Sequence, residues 1–268
     1  MEKITMLGTG NALVSRIFNT CFVLDDGEDK LLVDAGGGNG ILTQFDKANV
    51  PLGDIHNVFV THAHTDHIMG VIWVARVFIQ RHLAGKFQGE LHIWSHEKVI
   101  NLLDYNLKMM LHVKHYNEVG KCVFFHTLQD RDTFEVGRMH FECFDILSTK
   151  EKQFGFVCNL PSGKRLVNLG DEPYNEANKS LVENADWLTC EAFCKYDDRD
   201  TFHPYEKHHS TAKDAAALAE QLGIKNLLLY HTEEKTIATR KEAYTAEAQH
   251  YFKGNVVVPE DLETVVLE

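Results

Sequence analysis

Seven consecutive positions hold an unusually dense group of metal-ligand side chains. Residues 61–67 read Thr-His-Ala-His-Thr-Asp-His and follow an apolar run at residues 57–60. Three imidazoles and a carboxylate this close cannot all be buried without partners, because burying unpaired polar groups is costly. In an extended segment His62 and His64 point the same way, while Asp66 and His67 turn toward a second position. Such ligands predict a divalent metal centre, with Zn²⁺ favoured and Mn²⁺ or Fe²⁺ as alternatives.

The elements that must hold this segment alternate between strands and helices. Short apolar runs separated by Gly and Asp predict strands at Ile4–Leu7, Thr20–Leu24, Lys30–Val33 and Asn57–Val60. A helix is predicted over 68–83 and a strand over 90–94. Residues 98–118 look helical and are rich in Met, Leu, Tyr and His, so they either pack on the core or form a lid or an oligomer surface.

The second half repeats this order. Residues 122–169 are rich in predicted strands and include a hairpin from 154–158 to 165–169. Further predictions are a short helix at 175–184, strands at 186–190 and 226–230, and helices at 212–220 and 240–253. Ser210 or Thr211 is expected to cap the helix that ends at Gly223. Strands followed by helices in each half predict two packed sheets with helices outside, in one domain over 1–268.

An H-x-H-x-D-H motif directly after a strand is the signature of the metallo-β-lactamase superfamily, which this chain resembles from end to end. The resemblance implies an α/β (α+β) fold, a four-layer αββα sandwich with a two-metal site at the edge of the sheets. It implies that Asp34 supports the metal loop without binding metal, and that Asp171 is the bridging carboxylate. The implied metal ligands are His62, His64, Asp66, His67, Asp171 and His231.

Within the superfamily the chain resembles ribonuclease Z. Residues 185–193 resemble the glutamate motif of that family, and residues 209–216 resemble its H-S-T helix start. This implies that Glu191 and His209 form a proton-donating pair for the leaving oxygen, with the adjacent His208 as an alternative to His209. A carboxylate that accepts an imidazole N–H raises the pKa of the ring and keeps a proton available.

Two departures from ribonuclease Z affect the expected activity. Residues 144–156 lack the histidine of the third motif, and Leu147, Ser148 or Thr149 occupies its place. The first metal would then keep only His62, His64 and Asp171 and bind more weakly, although three protein ligands still suit a catalytic zinc. The glycine-rich tRNA-binding arm is also missing, since only a hairpin separates Leu147 from Asp171.

The expected function is a metal-dependent hydrolase, a phosphodiesterase that acts on a small nucleotide or similar anionic ester through a metal-bound hydroxide. Asp66 would be catalytic together with Glu191 and His209, by holding metal and orienting the nucleophile. The loop over 195–208 either is solvated or contacts substrate; the candidate contacts are His203, Tyr205, Lys207 and His208. Alternatives are a lactonase or thioesterase on the same site, and a catalytically weakened metal-binding protein.

Composition limits the partners. The chain has 268 residues with a net charge of −12, which argues against tRNA and other nucleic acids as partners. Neither a signal peptide nor a membrane-spanning run is evident, so a cytoplasmic protein with no membrane partner is expected. The six scattered cysteines are expected to be buried free thiols. The resemblance is compatible with a homodimer.

Overall fold

Fourteen strands build two seven-stranded sheets in the computed structural model, which describes residues 1–268. The first sheet contains β1 (Lys3–Gly8), β2 (Cys21–Asp25), β3 (Lys30–Val33), β4 (Asn57–Phe59), β5 (Leu91–His96) and β6 (Val123–Leu128). The second contains β7 (Thr133–Val136), β8 (Met139–Asp145), β9 (Phe154–Asn159), β10 (Arg165–Asn168), β11 (Trp187–Glu191), β12 (Asn226–Tyr230) and β13 (Asn255–Val257). The last strand, β14 (Thr264–Val266), returns to pair with β1 at the edge of the first sheet.

Eight α-helices accompany the sheets. Four follow strands of the first sheet: α1 (Gly40–Lys47), α2 (Thr65–Leu83), α3 (Glu97–Met110) and α4 (Val113–Tyr116). Four lie in the second half: α5 (Lys179–Val182), α6 (Arg199–Phe202), α7 (Ala212–Gln221) and α8 (Arg240–Gln249). Short 3₁₀ turns connect several of these elements.

Three hydrophobic clusters fill the three interfaces of a four-layer sandwich. One joins α1, α2 and α3 to the first sheet, a second lies between the sheets, and a third joins α7 and α8 to the second sheet. Strand β2 shows how the sequence achieves this, since Phe22 and Leu24 enter the middle cluster while Cys21 and Val23 enter the helix-facing one. Side chains alternate along a strand, so a strand covered on both faces is apolar throughout. The predicted αββα architecture is confirmed.

Parallel strand pairing explains why distant polar residues meet. Strands β3, β4 and β5 run parallel in the first sheet, as do β10, β11 and β12 in the second. The carboxyl ends of parallel strands lie at one edge of a sheet, where ligand sites of α/β proteins commonly form. The residues that follow these ends include Asp34, the segment 61–67, Asp171 and His231.

Local differences from the predicted elements have physical causes. Helix α2 begins at Thr65 instead of residue 68, so Asp66 and His67 lie in its first turn. The predicted helical stretch 98–118 is split between α3 and α4, with one face of α3 in the core and Tyr105, Met109 and Met110 exposed. Thr211 caps α7 in a capping box with Asp214. Strands β13 and β14 were not predicted from the sequence.

No helix combines the length and apolar character needed to cross a membrane. All six cysteines are buried and unpaired, as predicted. Burial raises the pKa of the thiols at Cys21, Cys158 and Cys190 well above its usual range. These thiols are therefore packing groups and not nucleophiles.

His96, at the end of β5, gives the fold a specific pH dependence. Its ring is fully buried against Phe154, and neither ring nitrogen has a hydrogen-bond partner. Burial, with Lys152 nearby, lowers the pKa of His96 to about 4. In the unfolded chain the pKa of the His96 imidazole is about 6.5. As pH falls from 6.5 toward 4, the unfolded state therefore binds a proton at His96 that the folded state does not bind, and the free energy of unfolding decreases.

The His96→Leu variant should therefore lose less stability on acidification than the unaltered protein. Between pH 7 and pH 5 we expect the difference in the free energy of unfolding to be about 2 kcal/mol, from urea denaturation. The exposed His140, paired with Glu135, provides the control, and His140→Leu should leave this dependence intact. Equal losses in His96→Leu and the unaltered protein would contradict the expectation.

Candidate metal centre

Asp34 organises the histidine-rich segment from the end of β3. Its two carboxylate oxygens accept hydrogen bonds from the backbone N–H and the hydroxyl of Thr61, each at 2.8 Å. The same carboxylate accepts a 2.7 Å hydrogen bond from Nδ1 of His67. This contact leaves Nε2 of His67 free to face the cluster, which is how outer carboxylates orient metal-binding histidines. The position of Asp34 agrees with the supporting role expected for it.

Close packing of α2 fixes the remaining ligands of the segment. His64 stands in extended backbone before the helix, and Asp66 and His67 are buried in the first turn. Gly70 allows the helix to approach the loop after β3, because a Cβ there would lie 1.8 Å from the carbonyl oxygen of Ala35. Its N–H donates to the carbonyl of Gly36 at 2.8 Å.

Two groups of ligand atoms meet in this region. The first contains His62, His67 and Asp171, and the second contains Asp66, His67 and His231. Asp171 Oδ2 lies 3.7 Å from Nε2 of His62, 3.5 Å from Nε2 of His67 and 3.5 Å from Nε2 of His231. One carboxylate oxygen thus faces three imidazoles contributed by both sheets, which is the arrangement expected of a bridging ligand.

Backbone geometry holds Asp171 and His231 in place. Gly170 adopts a positive φ of 77° and donates its N–H to the side chain of Asn168, while its carbonyl accepts from the Tyr230 hydroxyl at 2.6 Å. Asp34 and His231 have φ values of 54° and 58°, in the left-handed region that non-glycine residues rarely adopt. Such strained residues cluster at functional sites.

The buried charges are strongly coupled. Burial opposes ionisation of Asp171 and Asp66, but the neighbouring imidazoles outweigh it and hold the pKa of both carboxyls well below the usual range. Burial likewise disfavours the imidazolium of His67, yet Asp66 and Asp34 raise its pKa. At His62 burial dominates and lowers the pKa. Paired carboxylates that stay ionised among imidazoles are a typical environment for a cation.

The donor set fits a divalent metal. Nε2 of His67 and both ring nitrogens of His231 are buried without any hydrogen-bond partner. Buried polar atoms in folded proteins nearly always have partners, so the two unpaired Nε2 atoms, which lie 3.3 to 3.6 Å from the carboxylates of Asp66 and Asp171, indicate a ligand. Imidazole nitrogen and carboxylate oxygen are the ligands that zinc, manganese and iron share.

His64 and the third-motif segment differ from the expectation. His64 lies outside both ligand groups, with Nδ1 2.9 Å from Nε2 of His62. Neither Leu147 nor its neighbours take the place of the missing histidine: Leu147 is half exposed, Ser148 bonds Glu172 and Thr149 bonds His208. None of these three residues belongs to either ligand group.

Gln153, which the sequence did not reveal, fills the space beside the first ligand group. Its fully buried side-chain amide lies 2.8 Å from Nδ1 of His62 and also donates to Oδ1 of Asp171. Its carbonyl oxygen accepts the N–H of Asp171 at 3.2 Å. The amide thus orients two ligands at once.

Replacing Gln153 by Ala should weaken metal binding about 10- to 100-fold, since outer partners of ligands typically contribute that much. The affinity can be measured by competition with a chromophoric zinc chelator. Leu147→His should gain no affinity, because residue 147 lies on the surface. A Leu147→His variant that binds metal more tightly, or an unchanged Gln153→Ala variant, would contradict this assignment.

Glu191 and His209 meet beside the ligand groups. Oε2 of Glu191 lies 3.5 Å from Nδ1 of His209, and the His209 ring is 5.0 Å from the His231 ring, between centroids. Ser210, which the sequence suggested only as a cap, fixes the carboxylate, because its N–H and hydroxyl both donate to Oε1 at 2.6 Å. His208 instead bonds Thr149, so His209 and not His208 is brought to Glu191.

A cleft of about 200 Å³ opens over the ligands. Its walls include Asp66, Asp171, His209 and His231, together with Lys150 and Lys207. Asn11, Leu13, Phe193 and Lys150 were not predicted as site residues, because no local motif marks them. Tyr205 and His208 line a neighbouring pocket instead, and the exposed His203 pairs with Glu206 away from both.

Comparison with known proteins agrees with this geometry. The chain is 32% identical to a ribonuclease Z of Bacillus cereus strain G9842 over 113 residues, 42% of this chain and 36% of that protein. It is 24% identical to the ribonuclease Z of Bacillus cereus strain B4264 over 317 aligned positions, covering 99% of both chains. Both relatives are named ribonuclease Z, which agrees with the predicted resemblance to that family and with the prediction of an enzyme.

The structure resembles the metallo-β-lactamase fold protein YhfI from Bacillus subtilis, with a TM-score of 0.79, 19% identity and 98% of each chain covered. That likeness confirms the fold. The model of the family described as "Anti-Pycsar protein Apyc1" matches residues 2–252. The chain therefore belongs to the Anti-Pycsar protein Apyc1 family and has the metallo-β-lactamase fold.

Proposed function

We propose that this protein is a phosphodiesterase that hydrolyses a small nucleotide ester, such as a cyclic nucleotide, at a two-metal centre. One observation carries the proposal: two ligand groups share His67, and His209 of the Glu–His pair lines the same cleft as their carboxylates. Metal ligands alone would suit many hydrolases, but a proton donor beside them is needed mainly for a poor alkoxide leaving group.

The proposed metal ligands are His62, Asp66, His67, Asp171 and His231, and zinc is the proposed ion. We also propose His64, which is outside the two ligand groups, because its Nδ1 lies 2.9 Å from Nε2 of His62. The unpaired nitrogens of His67 and His231 support binding there. When bound, such ions would lower the pKa of water and neutralise phosphoryl charge. Asp34 and Gln153 orient the ligands, and Asp66 and Asp171 keep the cluster negative.

The proton donor is His209. Ser210 holds Glu191 so that its free oxygen faces Nδ1 of His209 at 3.5 Å. The ring also stacks on Phe193, with centroids 5.1 Å apart, so its orientation is restricted. From this position His209 would deliver a proton to the departing oxygen.

The cleft supports a small anionic substrate. Two lysines border it in a chain whose net charge is −12, and Nζ of Lys150 donates to the carbonyl of Lys207 at 3.1 Å. Lys207 reaches the carbonyl of Phe202 and stands 4.7 Å from the Phe193 ring centre. These cations would attract a phosphate, whereas the overall charge disfavours tRNA. A cytoplasmic location and a homodimer remain predictions.

A substrate panel tests the proposal. Zinc-loaded protein should hydrolyse bis(p-nitrophenyl) phosphate and nucleoside 3′,5′-cyclic phosphates, and should lose this activity in a chelator. Precursor tRNA should remain uncut. Hydrolysis of p-nitrophenyl acetate or a lactone without any cleavage of the phosphodiesters would refute the proposal and favour an acyl substrate.

A further inference from the structure

A second pocket adjoins the metal cleft on the far side of His209. It encloses about 290 Å³ between three loops, whose lining residues include Leu147, Glu172, Tyr174, Asn175 and Tyr205. His209 lines both this pocket and the cleft. A substrate could therefore occupy both spaces, with its reacting phosphate in the cleft and another part in the pocket, and pass the His209 ring between them. We call this space the side pocket.

The cleft and the side pocket differ in the charged side chains that line them. The cleft has Lys150 and Lys207 in its wall, whereas no lysine or arginine lines the side pocket. The one carboxylate of the side pocket, Glu172, is buried and accepts the hydroxyl of Ser148, with Nζ of Lys150 3.6 Å away. A phosphate group would therefore bind more favourably in the cleft than in the side pocket.

The side pocket offers a fixed aromatic surface. The Tyr205 ring is half exposed, and its hydroxyl donates to Asp214 at 2.8 Å, so the ring is held in one orientation. Tyr174 lies in the opposite loop and packs partly on the core of the second sheet. Burial raises the pKa of each phenol to about 12, so both tyrosines are neutral at physiological pH. Asn175 and His208 supply polar edges.

We propose that the side pocket is the leaving-group subsite and that it binds a neutral, planar heteroaromatic ring, such as the base of a nucleotide, by stacking on Tyr205. This inference rests on the proposed phosphodiesterase function. It adds that the protein recognises the ring of the substrate, and that the ring binds in the side pocket. The phosphate lies between the lysines, the scissile oxygen at His209, and the ring beyond it. At 200 and 290 Å³ the two spaces suit a small ligand.

The test compares two ligands that differ only in the ring. The affinities of uridine 5′-monophosphate and ribose 5-phosphate for the zinc-loaded protein are measured by calorimetry, which requires no turnover. Stacking of a base on an aromatic side chain should make the nucleotide bind roughly 5- to 100-fold more tightly. Equal affinities, or no binding of either ligand, would overturn the inference.

Variants of Tyr205 test whether this residue causes the preference for the nucleotide. Tyr205→Ala should abolish the preference for the nucleotide while leaving the affinity for ribose 5-phosphate unchanged. Tyr205→Phe keeps the ring, loses the bond to Asp214 and should retain most of the preference. A preference that survives Tyr205→Ala would place the ring elsewhere and overturn the inference.

The outcome is separable from that of the proposed function. If both ligands bind equally while bis(p-nitrophenyl) phosphate is hydrolysed, the phosphodiesterase stands and the side-pocket assignment fails. If the nucleotide binds more tightly but no phosphodiester is cleaved, the pocket binds a ring and the proposed reaction fails.

Discussion

Replacing Asp171 by Asn should nearly abolish both metal retention and phosphodiester hydrolysis. The Oδ2 atom of Asp171 faces three imidazoles, and the side chain takes part in the first ligand group. Loss of an outer-shell partner typically costs about 10- to 100-fold in metal affinity or activity, so loss of this bridging oxygen should cost more.

Metal content after gel filtration and the kcat on bis(p-nitrophenyl) phosphate would measure the effect. The control is Asp200→Asn, which neutralises a side chain that is 86% exposed and does not line the cleft. Near-UV circular dichroism of both variants would show whether the fold is retained. A folded Asp171→Asn variant with full metal content would mean that Asp171 does not bridge.

The second large effect concerns Glu191 and His209. His209→Gln and Glu191→Gln should each lower kcat about 10²- to 10⁴-fold on a substrate with a sugar alkoxide leaving group. The same variants should lose far less on bis(p-nitrophenyl) phosphate, because p-nitrophenolate leaves without a proton. The double variant should be little worse than either single one, since the two residues act as a unit.

The exposed His140 again provides a control, and His140→Gln should behave like the unaltered protein on both substrates. The ratio of the kcat values on the two substrates distinguishes the loss of the proton donor from general damage to the site. Equal losses on the two substrates would assign the pair a structural role, in line with the two bonds between Ser210 and Glu191.

The sequence was most informative where ligands are adjacent along the chain. Residues 62–67 form one motif, and the strand before it predicts where it lies in the sheet. The resemblance to the superfamily implied Asp171 and His231, each of which follows an apolar strand, and the parallel pairing of β10, β11 and β12 brings them to one edge.

The structure added residues whose role depends on long-range packing. Gln153 contacts His62 across 91 residues, and no local pattern distinguishes it from other glutamines in a hairpin. Lys150 and Leu13 enter the cleft from loops whose paths the sequence does not determine. The side pocket likewise arises only when three separate loops converge around His209. Prediction failed where function depends on how loops meet, not on periodicity within an element.

The most direct test of the central claim is the metal content of protein purified without added metal, measured by mass spectrometry alongside phosphodiesterase activity. We expect two ions per chain, loss of activity when they are removed, and recovery when zinc is restored. Full phosphodiesterase activity in protein that holds no metal would contradict it.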